Sequence, residues 1–524
     1  MRVLLVSEKE GTAIHRMCEY KIKHTPWHAF KLVAVHPKRP SPEQLQAFEE
    51  ALAWCDVVDF QYWKTAEVLY SMYEIKKPCL LTHHNPYDLT RTPWTNYKIN
   101  VVLNTEQLRT INTQSVKIEH PVDTEFWEYQ PAEPASFHYG VIMVSNRIEA
   151  KKGVLPVAQA CKDLGIKMAL VGDISDRTYY EQVMATEAVD FFHRISDEDL
   201  RDLYHQSMIH VCNSVDGYES GTLPILEAMS CGTPVLTRRI GHVPDTFNGR
   251  NMQVRRGDPD DLEDLKKQLT ELTQNKQLRD EIRQESVHSL RYRNYEIYAR
   301  KYSQLYHQLL TGKELVTAIV PTVSTPDKLI ETLSHVMSQT YGPLEIIVVD
   351  DGEQPELNEE VIKQIRGETS HTIKFFQTAT RDLKGQKTYG LARARNKGVM
   401  EAEGQWLWFV DERMLPEKEA LDAFYERRKE GIWLWGMKDQ SQKSFVENFS
   451  FVNRKDLLRV GAFNEQITQY GGMTQEVRTR WEQNKMILQF VPKAQAITKR
   501  KSSAKWRRYK DIAISKTQCY KLYG

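Results

Sequence analysis

The chain has 524 residues, too many for one ordinary domain, and its 41% hydrophobic and 27% charged residues exclude a mainly disordered or low-complexity state. A net charge of +1 supplies no global field for nucleic acid or an acidic partner. The seven cysteines are scattered and form no CxxC pair, which argues against a disulfide framework or a structural zinc site and fits a reducing compartment.

The opening MRVLLVSEKEG is too short an apolar run for a signal peptide, and no run is long enough to cross a bilayer. The expected location is cytoplasmic, with peripheral contact at a membrane left open. Short apolar runs at 3–6, 32–35, 57–60, 79–81 and 101–103 read as strands separated by polar, helix-like segments. A proline-containing connector spans 120–134, and the rhythm then restarts. Strands are predicted at 141–144, 168–171, 209–212 and 234–236, and helices at 153–164, 196–206 and 223–229. Residues 261–310 are charged and mostly helical. Strands alternating with helices predict a parallel sheet covered on both faces, twice over, with a cleft between the halves. A third α/β unit begins near Leu315, with a strand at 316–320 ended by Pro321, a helix at 328–338 and a strand at 345–349.

The stretch VDGYESGTLPILEAMSCGTPVL carries the most specific chemistry. Asn213, Ser214, Gly217 and Gly221 lie in a loop that enters a helix at Leu223. Small residues before a helix N-terminus leave the N–H groups of Thr222 and Leu223 free for a diphosphate. Glu219 lies in the loop and Glu227 one turn into the helix. Separated in this way, the two carboxylates grip opposite ends of one ligand, each accepting hydrogen bonds from vicinal hydroxyls. Ser145-Asn146-Arg147-Ile148-Glu149-Ala150-Lys151-Lys152-Gly153 places Arg147 and Lys152 at a strand-to-helix turn, the ligand edge of a parallel sheet. Two cations there stabilise a leaving diphosphate without a metal.

Residues 1–310 resemble the retaining family 4 glycosyltransferases of the GT-B fold. Glu219 and Glu227 match the family's E-x7-E motif, and Arg147 and Lys152 its diphosphate pair. His120-Pro121-Val122-Asp123 is similar to the interlobe segment, and Leu81-Thr82-His83-His84-Asn85 to the T-x-H-D stretch, with Asn85 where Asp is usual. The resemblance implies transfer of a sugar from a nucleotide diphosphate with retention, no metal cofactor and no protein nucleophile. The leaving phosphate takes the acceptor's proton. Glu219 would position the sugar, Glu227 the ribose, and His84 would lie near the transferred sugar. Gly11 and Thr12 would form the first-lobe phosphate loop. For such folds UDP is the commonest nucleotide, so a UDP-sugar is the expected donor.

Residues 315–498 resemble family 2 glycosyltransferases of the GT-A fold through VTAIVPT, EIIVVDDG, GLARARNKG and WFVDER. The resemblance implies Thr322, Asp350 and Asp351 around the nucleotide base, with Arg395, Asn396 and Asp411 also contacting the nucleotide. Two positions depart from the family. The D-x-D that holds Mg²⁺ or Mn²⁺ reads Asp411-Glu412-Arg413, and a cation cannot ligate a cation. The catalytic E-D position after Gly461-Ala462-Phe463-Asn464-Glu465 falls on Met473-Thr474. Either this module has lost catalysis and binds or scaffolds, or Arg413 replaces the metal's charge and Glu465 or Glu476 acts as base.

The expected architecture is α/β: GT-B twin Rossmann-like lobes followed by a GT-A-like domain. Residues 1–122 form the acceptor lobe, with 291–310 returning to it, and 123–290 the donor lobe. Residues 315–498 form the GT-A-like domain and 499–524 a basic tail. That tail interleaves basic residues with Trp506, Tyr509, Tyr520 and Tyr523, suiting either an anionic surface or a packed terminal helix. The acceptor class stays open among a glycan, a lipid-linked intermediate, a protein and a modified DNA base. A non-catalytic sugar-nucleotide or glycan binder is the alternative of a different class.

Overall fold

The computed structural model describes residues 1–84, 96–111, 114–131, 133, 137–323, 326–352, 355–367, 369–378, 390–440, 444–467 and 472–499. Asn85, Gly471 and the basic tail from residue 500 onward, with its four aromatic residues, lie outside them. The chain divides into two compact units, Met1–Lys301 and Tyr302–Gly524, so the break falls inside the helix Tyr295–Thr311.

The first unit holds two six-stranded parallel sheets. One contains β1 (Arg2–Ser7), β2 (Ala29–Ala34), β3 (Val57–Phe60), β4 (Cys79–His83), β5 (Ile99–Val102) and β6 (Ser115–Lys117), in the order β2-β1-β3-β4-β5-β6. The other contains β7 (Tyr139–Ile148), β8 (Met168–Ile174), β9 (Val189–Phe192), β10 (Ser207–Cys212), β11 (Val235–Arg238) and β12 (Gln253–Arg255), in the order β12-β11-β10-β7-β8-β9. These strands read as near-continuous apolar runs because helices cover both faces. Val141, Met143 and Ile209 pack into one core, whereas Ile142, Ala169 and Val171 pack into the core on the opposite face.

Caps define the helix starts. Ser196 accepts from the Asp199 N–H at the head of Asp197–His205, and Thr12 accepts from the His15 N–H at the head of Ala13–His24. Residues after 290 contact the first part of this unit. The Val122 N–H donates to the Arg293 carbonyl at 2.8 Å, Tyr295 stacks on Tyr20 with centroids 3.7 Å apart, and Arg300 lies over Trp27.

The second unit is built on an eight-stranded mixed sheet. Its strands are β13 (Val316–Thr322), β14 (Leu344–Asp350), β15 (Thr372–Gln377), β16 (Trp406–Val410), β17 (Met414–Pro416), β18 (Ile432–Lys438), β19 (Phe449–Asn453) and β20 (Ile487–Thr498). The order is β15-β14-β13-β16-β19-β18-β20-β17, with β19 antiparallel to β16 and β18. In β14, Ile346 and Val348 enter one core and Ile347 and Val349 the other, the period of two expected of a strand buried on both sides.

One sequence expectation changes here. Pro321 does not end its strand: β13 runs on to Thr322, paired in register with Asp350. The pairing of β13 with β16 stops at Ile319, so the proline stands where that side has no ladder left to interrupt. The strands after β16 carried no clear signal in the sequence, because tryptophan-rich segments such as IWLWGMK have no single period.

Candidate functional site

In the second sheet of the first unit, the candidate residues gather at the carboxyl ends of β7 and β10. Arg147 is exposed near the end of β7. The following turn is held tightly. Gly153 adopts φ +61°, and an added Cβ would lie 2.3 Å from the Asn213 carbonyl oxygen. The Val215 N–H donates to the Lys151 carbonyl at 2.9 Å, and Asn213 Nδ2 donates to the Gly153 carbonyl at 3.1 Å. Arg255 Nη1 fixes Asn213 Oδ1 at 2.6 Å. This lock delivers Lys152 to the loop after β10, where its Nζ meets Glu219 Oε1 at 2.5 Å. The Ser214 hydroxyl donates to the same oxygen at 2.9 Å. Both partners of the ion pair keep 13% of their side-chain surface exposed, so a ligand can reach them. Tyr218 lies under Lys151 and Lys152, at 5.3 and 5.2 Å, and donates to Glu149. Arg238 supports the loop from below through the Ser214 carbonyl at 3.0 Å.

The helix Leu223–Cys231 begins at Thr222 without a side-chain cap, and Thr222 Oγ1 lies 3.3 Å from His242 Nε2. Pro224 has no N–H and the Ile225 N–H donates to the Thr222 carbonyl at 3.2 Å, so an anion here would meet the N–H groups of Thr222 and Leu223. Glu227 is partly buried one turn in and accepts from the Tyr204 hydroxyl at 3.1 Å. Burial pushes its carboxyl up to about 7, against the opposing pull of that hydrogen bond.

His84 follows β4 and is buried. Its Nδ1 lies 3.2 Å from His120 Nε2, the two rings stack, and its Nε2 lies 3.4 Å from Gln61 Oε1. Burial first, then the neighbouring His120, holds the His84 imidazole well below its ordinary range, so it is neutral. Gly221 comes so close to this stack that a Cβ would lie 2.6 Å from His120 Nδ1. His84, His120 and Gly221 thus form one column between the two sheets of the first unit. Gly11 has φ +74° with open space around it, and Thr12 is committed to capping its helix. Neither shares a described hydrogen bond with Lys152 or Glu219.

In the second unit, Thr322 and Asp350 end β13 and β14 side by side, and Asp411 follows β16. Asp350 accepts from the Gly352 N–H and from Asn358, both at 2.6 Å, while burial raises its carboxyl above the ordinary range. Asp351 accepts from the Thr378 hydroxyl at 2.5 Å and lies 3.4 Å from Arg393; a Cβ on Gly390 would collide with it. Asn396 is used structurally, bonding both the carbonyl and the N–H of Phe463 and also Glu465 at 2.8 Å. Arg395 is fully buried between Asp411, at 2.7 Å, and Glu447, at 2.9 Å.

Glu476 is one of the two carboxylates expected as an alternative base. Glu476 is fully buried and held by Arg480 at 2.7 and 2.8 Å. Sequence reasoning missed Glu447, Tyr204 and Gln61. Each lies outside the recognised motifs and enters the site only through folding.

Residues 126–288 match the family model for glycosyl transferases group 1, and residues 317–431 that for glycosyl transferase family 2. Glycosyltransferase GlyG of Streptococcus pneumoniae is 28% identical over 117 residues, 22% of this chain and 36% of GlyG. The poly(ribitol-phosphate) beta-N-acetylglucosaminyltransferase TarP of Staphylococcus aureus is 30% identical over 118 residues, 22% of this chain and 33% of TarP. The match thus spans about a third of each of these two relatives. Sucrose-phosphate synthase of Thermosynechococcus elongatus superposes over 60% of this chain and 100% of its own length, with a TM-score of 0.50 and 16% identity, a likeness of fold. Two segments of the chain thus match glycosyltransferase family models, within an α/β architecture of GT-B-like twin lobes followed by a GT-A-like domain. Among the described residues, no helix is long and apolar enough to cross a membrane.

Proposed function

We propose that the first module transfers a sugar from a nucleotide-diphosphate sugar to an acceptor hydroxyl, with retention of configuration and without a metal. The observation that carries this reading is the meeting of Lys152, Ser214 and Glu219 beside an uncapped helix N-terminus, with Glu227 one turn inside. The helix N-terminus, Arg147 and Lys152 receive the diphosphate, whose charge grows as the glycosidic bond breaks. Glu219 positions the sugar hydroxyls and Glu227 the ribose diol. The acceptor's proton passes to the departing phosphate oxygen, so no protein base is needed. His84, neutral and buried, stands beside the sugar as a hydrogen-bonding group rather than an acid.

A UDP-sugar is the proposed donor. The relative whose name gives an acceptor, TarP, acts on poly(ribitol-phosphate), which favours a glycan-type polymer as acceptor here. The proposed division assigns 1–122 and 291–310 to the acceptor lobe and 123–290 to the donor lobe. The second module is proposed to bind rather than transfer. Thr474, at the base position, donates its hydroxyl to Glu447, and Glu476 is locked by Arg480.

The test is a panel of sugar nucleotides with the full chain, read by thermal stabilisation and by nucleotide release, with and without EDTA. One nucleotide class should stabilise the protein, and turnover should survive EDTA. Glu219→Ala should stay folded and lose transfer. Full turnover in that variant, or strict metal dependence of transfer, would overturn the reading.

A further inference from the structure

In the first unit a lysine and an aspartate meet where water does not reach. Lys21, on the helix Ala13–His24, keeps 1% of its side chain exposed and Asp59, on β3, keeps 0%; the Lys21 Nζ donates to Asp59 Oδ2 at 2.9 Å. The proposed transfer does not use this pair, and a buried ion pair is by itself a weak source of stability. The other carboxylate oxygen points to a use. Asp59 Oδ1 accepts from Nε2 of Gln61, which follows β3. The same amide nitrogen donates to the Thr82 hydroxyl oxygen on β4 at 3.1 Å. A carboxylate only accepts, so the Gln61 amide cannot turn over, and Oε1 is the atom left to face His84.

That fixed oxygen sets the protons beyond it. Gln61 Oε1 lies 3.4 Å from His84 Nε2, which must therefore carry the N–H. In a neutral ring Nδ1 is then bare and accepts, so the next N–H belongs to His120 Nε2, 3.2 Å away. His120 Nδ1 is left as a lone pair facing Gly221, and among the described residues it makes no hydrogen bond of ordinary geometry. Both rings are neutral. Burial, then His120, holds His84 well below its ordinary range; burial, then Arg293, holds His120 down to about 4 against the backbone of Gly221. The reverse order puts Nδ1–H on both rings and offers that backbone a proton. It also sets the lone pair of His84 Nε2 against Gln61 Oε1, and two buried acceptors in contact cost more than one acceptor left bare.

We propose that Asp59 and Gln61 are positioning residues that hold His84 and His120 as Nε2–H tautomers, so that His84 meets the transferred sugar as a hydrogen-bond donor only. The second half of that statement rests on the placement of His84 beside the sugar; the first half does not. The Gln61–His84 link is the longest of the chain, so a ring or hydroxyl oxygen of the sugar can take over the same N–H. Lys21 supplies the opposite charge that a carboxylate needs in so dry a place.

Two-bond proton–nitrogen correlation spectra of the full chain with isotope-labelled histidine report which ring nitrogen carries the proton. The variants His84→Gln and His120→Gln identify the two sets of signals. At neutral pH both rings should be Nε2–H in the wild type. In Asp59→Asn, Lys21 draws the oxygen of the new amide, its NH₂ turns to Gln61, and the Gln61 amide turns over. Both histidines should then convert to Nδ1–H, and kcat should fall about 100-fold with donor KM little changed. A wild-type His84 protonated on Nδ1 would overturn the proposal. So would an Asp59→Asn chain with wild-type circular dichroism in which both rings stay Nε2–H. Should Asp59→Asn fail to fold, Gln61→Leu decides: without its acceptor His84 should become a mixture of tautomers, and an unchanged Nε2–H would overturn the lock. Conversion of both rings with unchanged kcat would remove His84 from the sugar and leave the lock standing.

Discussion

The two modules each set a cation against carboxylates at the ligand edge of a sheet, and they do so in opposite ways. Lys152 meets Glu219 on a partly exposed surface, one flexible point charge against one carboxylate. Arg395 is enclosed between Asp411 and Glu447, with both ends of its fork engaged. A lysine paired with one carboxylate, both still 13% exposed, opens more readily, since a ligand's phosphate can replace the partner. A buried guanidinium shared by two carboxylates cannot open without leaving charges unpaired in a low-dielectric interior. The first arrangement suits a site that must exchange its internal partner for a substrate. The second suits one that stays shut.

Lys152→Ala tests the open side and should have the largest effect. Loss of a cation aimed at the departing diphosphate is expected to slow turnover about 100- to 1,000-fold, while the melting temperature stays close to wild type. Near-normal kcat would remove the distinction between the two sites.

Asp411→Asn tests the closed side. Removing one partner of the buried Arg395 cluster should destabilise the second unit by about 3–5 kcal/mol in denaturant unfolding. First-module turnover should be unchanged. A neutral effect on stability would show that the cluster opens as readily as the Lys152 pair.

Glu227 gives the smallest and most graded test. Its folded carboxyl lies at about 7, above the ordinary carboxylate range. The folded state therefore holds a proton that the unfolded chain releases at lower pH. This stabilisation is present below the unfolded pKa and is lost as pH rises to about 7. Ribose binding needs the ionised form, so donor affinity should run the other way and weaken about tenfold per pH unit below 7. Titration of donor affinity against pH should show this slope in the wild type and lose it in Glu227→Gln.

Much of the first site was legible in the sequence because its parts are local. A strand end, a glycine-bearing turn and a helix start lie within a few residues of each candidate group, so Arg147, Lys152, Glu219 and Glu227 stand out as candidates by spacing. The lock that aims Lys152 was not legible. Asn213 and Arg255 act through contacts across β10, β11 and β12, and single polar residues so far apart carry no pattern. Strands β13 and β14 were equally readable, since burial on both faces demands an unbroken apolar run. The mixed half of that sheet was not, because the antiparallel pairing of β19 with β16 joins residues 39 to 47 apart in the chain.

By itself, the sequence determined the order of the α/β units, the two families they resemble and the acidic and basic residues at the ends of the strands. Those features follow from hydrophobic periodicity and from turn and cap chemistry, which act over a few residues. Only the tertiary structure decided which charges meet. The sequence places Arg395 in a motif, and folding encloses it with Asp411 and Glu447, 16 and 52 residues away along the chain. Coulomb interactions depend on distance and burial, and neither is set until the sheet has closed around the side chain.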